Sequence, residues 1–90
     1  MSDPHPELVE YKRTPVFDEQ SLPAGLRRDH RTKAGVYGRI CVVEGRLRLS
    51  VGDGERVLEA GEVAVTLPEQ LHAVEPVGAV RFYVAFCRPG

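Results

Sequence analysis

Strict alternation of polar and apolar residues constrains this chain more than any other feature. Arg46-Leu47-Arg48-Leu49-Ser50-Val51 alternates without a break, and Glu62-Val63-Ala64-Val65-Thr66-Leu67 does so more weakly. Near the C-terminus Val80, Phe82, Val84 and Phe86 share one face, while Arg81, Tyr83, Ala85 and Cys87 share the other. A period of two is the signature of half-buried β-strands. No stretch shows helical periodicity over a useful length, and seven prolines and nine glycines interrupt most candidate helices. Turn signals recur at Glu44-Gly45-Arg46, Gly52-Asp53-Gly54, Ala60-Gly61-Glu62, Pro68-Glu69-Gln70 and Pro76-Val77-Gly78. Their spacing of about 8–10 residues predicts an antiparallel sandwich or barrel, with a tight hairpin at Gly52-Asp53. The expected core is Val36, Ile40, Val42, Leu47, Leu49, Val51, Val63, Val65, Leu67, Val74, Phe82, Val84 and Phe86.

Before residue 26 the pattern loosens. Glu7 to Arg13 reads as a strand, and Thr14-Pro15 and Leu22-Pro23-Ala24-Gly25 read as bends in an extended arm. The expected organisation is an arm over residues 1–25, packed on a barrel formed by residues 26–90. Ninety residues with 42% hydrophobic content make one small domain with a modest core, which a homodimer would reinforce. No apolar run approaches the roughly 18 residues of a membrane span, and MSDPHPELVEYKR lacks the apolar core of a secretory signal. The expected location is therefore the cytoplasm. A net charge of −1 argues against a nucleic-acid partner. Cys41 and Cys87 lack metal or redox spacing and are expected as free, buried thiols. Ser21 and Ser50 do not sit in a nucleophile elbow, and nothing pairs two carboxylates as acid and base.

The segment from Val42 to His72 resembles the cupin superfamily. A glycine hairpin at Glu44-Gly45-Arg46 is followed by the turn Ala60-Gly61-Glu62, then by Pro68 and His72. The first cupin motif departs from the pattern, because Gly38 stands where a metal-ligating glutamate is usual and only His30 offers a ligand. The runs Tyr11-Lys12-Arg13-Thr14-Pro15-Val16-Phe17, His30 to Gly38 and Pro68 to Glu75 resemble one small cupin family more closely. That family includes the N-terminal domain of tellurite-resistance methyltransferases and free-standing short proteins. The resemblance implies an all-β fold, a small cupin-like (jelly-roll) β-barrel with an N-terminal extended arm. It also implies that methyl transfer belongs to a separate domain, for which this chain has no glycine-rich nucleotide loop.

His30 and His72 match the family's histidines, and strand parity gives both an inward direction. They are the expected metal ligands for Zn²⁺, Fe²⁺, Mn²⁺ or Ni²⁺, with Glu69 completing a two-histidine, one-carboxylate set. The alternative is a pair of hydrogen-bonded core histidines, since two imidazoles alone make a poor metal site. The cationic run Arg27-Arg28-Asp29-His30-Arg31-Thr32-Lys33 either guards a strand edge or forms an anion site beside His30. Arg31, Lys33 and Tyr37 are the expected ligand-binding residues, and His5 is incidental in a proline-rich tail. Three functions remain open at this level. The first is a module binding a small anionic ligand, with or without a metal, in tellurite, oxyanion or stress response. The second is a divalent-metal cupin enzyme of oxygenase, isomerase or hydrolase type. The third is an accessory protein-interaction domain.

Overall fold

The computed structural model describes residues 7–28 and 30–90, so His5 and the rest of residues 1–6 lie outside it. Six strands form one curled antiparallel sheet: β1 (Leu8–Arg13), β2 (Phe17–Asp18), β3 (Tyr37–Val51), β4 (Gly54–Glu59), β5 (Val63–Thr66) and β6 (His72–Pro89). A 3-10 turn at Ala24–Arg27 is the one helical element among the described residues. The strand order is β1-β6-β3-β4, with β2 on β6 and β5 on β3. The two long strands β3 and β6 pair along almost their whole length, from Tyr37↔Cys87 to Val51↔His72. Everything else is laid on their outer edges. This is the antiparallel barrel that the alternation and turn spacing predict, in the cupin-like form that the resemblance implies.

The core lies inside the curl. Phe82, Leu47 and Leu58 are fully buried, and Ile40, Val42, Leu49, Val74, Val80 and Val84 pack around them. Val51 and Phe86 are half-buried against this cluster. The alternation at Arg46–Val51 therefore gives the correct inward face, and the hairpin turns at Gly52-Asp53 as expected. Cys41 and Cys87 are buried free thiols, and burial pushes the Cys87 thiol upward.

Three expectations are corrected. On β5 the inward residues are Ala64 and Thr66, whereas Val63 and Leu67 are exposed and Val65 is half-buried. The cause is register. Gly61 N donates to Val42 O, Val42 N donates to Glu62 O, and Gly38 then falls opposite Thr66. A side chain at position 38 would collide with the Thr66 hydroxyl, so Gly38 admits it. Second, Glu44-Gly45-Arg46 and Pro76-Val77-Gly78 do not reverse the chain. They are irregularities within β3 and β6, and Gly45 and Gly78 take φ of 73° and 74° there. Third, the cationic run over residues 27–33 does not form an edge strand. Among the described residues of that run, His30 alone makes a β-bridge.

Candidate functional site

The segment from His30 to Val36 is tied to the turn that leads into β6. His30 N donates to His72 O at 2.7 Å, His72 N donates to His30 O at 2.8 Å, and Glu69 N donates to Thr32 O at 3.2 Å. The two histidines are therefore directly opposed residues of an antiparallel bridge, and their side chains lie side by side on one face. Glu69 turns the chain at a φ of 61°, and the Gln70 side chain closes the turn by accepting from Leu67 N at 3.1 Å. Local backbone geometry thus delivers His72 to the start of β6, and long-range pairing delivers His30 to its side.

The ring contacts have a direction. His72 Nδ1 lies 3.1 Å from the Gln70 carbonyl oxygen, which can only accept. The hydrogen-bond network therefore places the His72 proton on Nδ1 and leaves Nε2 bare. His30 Nδ1 stands 3.4 Å from that nitrogen and donates to it. The rings meet edge to face, with centroids 5.1 Å apart. This chain of donors leaves Nε2 of His30 as the free acceptor of the pair. Burial, and next the proximity of His72, lower the His30 pKa, so the neutral form is favoured.

Behind the pair is a cavity of about 260 Å³. Its walls are mainly apolar, with Phe17, Leu26, Ile40, Val74, Val84 and Phe86 among them. Three threonines also line it, but each hydroxyl proton goes to a backbone carbonyl: Thr14 to Pro15, Thr32 to Val36 and Thr66 to Gly38. The histidine pair is thus the main hydrogen-bonding function that the wall offers to an occupant.

The other expected site residues are dispersed. Arg31 and Lys33 are exposed and flank the buried Thr32, so alternation turns them away from the cavity. They line a neighbouring open groove of about 850 Å³, together with Lys12, Arg88 and Tyr11. Tyr37 is half-buried opposite Cys87 and lines neither space. Glu69 is exposed in its turn and does not line the cavity. The sequence reading missed Lys12 and Arg88, which only the pairing of β1 with β6 brings to the groove. It also missed Thr32, for which the signal was the alternation Arg31-Thr32-Lys33.

A divalent metal can be tested against these donors. Two nitrogens held 2.0–2.1 Å from a tetrahedral ion stand about 3.3 Å apart. The 3.4 Å separation of His30 Nδ1 and His72 Nε2 is close to that value. The Gln70 carbonyl on His72 Nδ1 is also the kind of support that metal-bound imidazoles receive. No third His, Cys, Asp or Glu joins them among the described residues, however. Catalytic zinc sites commonly take three protein ligands, so the described donor set falls one short of such a site.

Comparison with known proteins agrees with the fold. The model of the TehB-like domain family matches residues 12–84. The probable S-adenosyl-L-methionine-dependent methyltransferase TehB of Haemophilus influenzae is 38% identical over 42 residues, which make up 47% of this chain and 15% of that protein. The crystal structure of Haemophilus influenzae TehB superposes with a TM-score of 0.86 at 24% identity, covering 92% of this chain and 32% of that one. The chain therefore spans about a third or less of TehB. The uncharacterized protein YeaR of Escherichia coli K12 is 32% identical over 78 residues, covering 74% of this chain and 66% of YeaR. The cupin domain of Schizosaccharomyces pombe Cnp3 matches at a TM-score of 0.62 and 17% identity, over 81% of this chain and 50% of that one, which speaks for the fold alone. No helix among the described residues is long and apolar enough to cross a membrane.

Proposed function

The chain belongs to the TehB-like family, and from that premise we propose that it is a small-molecule binding module whose ligand sits in the cavity behind His30 and His72. One observation carries the reading: an apolar pocket with a hydrogen-bonded histidine pair in its wall. Small-ligand sites are typically concave and apolar, with few polar groups that fix orientation. Apolar ligand surface gains about 25 cal/mol for each Å² removed from water. The His30 nitrogen then selects for a group able to donate to it, or to accept from it once it is protonated. The biological setting, as part of the same proposal, is oxyanion or stress tolerance alongside the TehB relatives. Methyl transfer is not assigned to this chain.

The test is saturable binding of 1-hexanol, followed through backbone amide shifts of Ile40, Val74 and Val84. His30→Ala and His72→Ala should each weaken it several-fold, and the double variant should lose little more, since residues acting as one unit are non-additive. If 1-hexanol leaves the three cavity amides unmoved in the parent protein, the binding-module reading is wrong. If the histidine variants change folding alone, the pair has no part in it.

A further inference from the structure

The cavity has a charged annex on the far side of the segment that carries His30. Lys12 from β1, Arg31 and Lys33 from that segment and Arg88 from the end of β6 converge on one open groove. Among the described residues lining it there is no carboxylate. The ion pairs among described residues use Arg13, Arg48 and Arg81, and none uses these four cations. The whole chain carries a net charge of −1, so the cluster is not the overflow of a basic protein. The Arg88 guanidinium lies 4.3 Å above the Tyr11 ring, which fixes it against the wall of the groove. Four cations that make no ion pair among the described residues repel one another, and an anion placed among them relieves that repulsion.

Groove and cavity adjoin, sharing His30, Thr32 and Phe86 in their linings. Resting on the binding-module reading above, we propose that the ligand is a small amphiphilic organic anion. Its apolar body, a short chain or single ring, fills the cavity. Its carboxylate or similar oxyanion passes His30 and meets Arg31, Lys33, Lys12 and Arg88. Each compartment alone gives a poorer match. A bare inorganic oxyanion in the cavity would lose its hydration against apolar walls. A neutral apolar molecule would leave the four cations unrelieved.

The experiment titrates the full chain with hexanoate, 1-hexanol and inorganic phosphate at low ionic strength, reading amide shifts in cavity and groove. Hexanoate should move both sets, bind about tenfold tighter than 1-hexanol and lose that advantage as salt screens the charges. Arg31→Gln with Lys33→Gln should erase the advantage while 1-hexanol binding persists. Lys12→Gln with Arg88→Gln, on other strands, should reduce it independently. Equal binding of hexanoate and 1-hexanol, with groove amides silent, overturns the amphiphile and leaves the cavity reading intact. Phosphate moving the groove while neither hexyl probe reaches the cavity overturns both readings.

Discussion

Replacing Gly45 by alanine tests how the site is positioned, and Gly61 supplies the control. Both glycines hold positive φ, 73° and 89°. An L-residue in that region costs about 1–2 kcal/mol, while losing glycine's freedom in the unfolded chain returns about 0.4–1 kcal/mol. Gly61 has nothing within 4 Å of an added Cβ, so Gly61→Ala should cost about 1 kcal/mol. At Gly45 the added carbon would overlap the Ala79 carbonyl oxygen and come 3.0 Å from the Val80 Cα. These are backbone atoms of β6 and cannot swing aside as a flexible side chain would. Overpacking adds about 1–3 kcal/mol, so Gly45→Ala should cost about 2–4 kcal/mol. Gly45 pairs with Val80 at the irregularity beyond which Leu47 meets Pro76 and Val51 meets His72. The strain therefore falls on the register that carries His72 to His30. Urea unfolding with an unchanged m-value measures the two costs, and imidazole shifts report the histidine pair. Equal costs within about 0.5 kcal/mol, or an unmoved pair in a strongly destabilised Gly45→Ala, would refute the reasoning.

Three further outcomes are expected. The His30 pKa is lowered in the folded protein from an ordinary 6.5, so the unfolded chain takes up the proton first; stability should hold above about pH 6.5 and fall as pH drops through the lowered value. His30→Gln should flatten that limb of the profile in chemical denaturation, and a parent protein more stable at pH 5 than at pH 7.5 would reverse the sign. Protein purified without chelator should carry well under one tightly held Zn²⁺, Fe²⁺, Mn²⁺ or Ni²⁺ per chain; elemental mass spectrometry showing one equivalent, lost in His72→Ala, would mean that a third ligand joins the pair. Leu58 is the fully buried residue of β4, so Leu58→Ala should cost about 2–5 kcal/mol in urea unfolding, whereas Val57→Ala on the exposed face should cost far less.

By itself the sequence determined the period of the strands, the tight hairpin at Gly52-Asp53 and the all-β barrel class, and it singled out His30 and His72 as candidate site residues. These rest on local chemistry: alternation shows which residues share a face, glycine admits the positive φ that turns require, and a collinear motif carries its histidines with it. Only the tertiary structure decided which face of β5 turns inward, because Val63-Ala64-Val65-Thr66 is apolar enough to be read either way. The choice fell to hydrogen bonds between Gly61, Glu62 and Val42 and to the space left by Gly38. The same holds for Gly45 and Gly78, whose sequence signals mark a positive φ but do not say whether the chain reverses or merely bulges within a long strand. The site divided for a similar reason. Arg31 and Lys33 are neighbours of His30 in sequence, yet alternation around Thr32 sends them to a groove completed by Lys12 and Arg88, more than fifty residues apart and joined by the pairing of β1 with β6. Side-chain direction follows from the local backbone, but the company each side chain keeps is set by long-range register, and no local pattern encodes that.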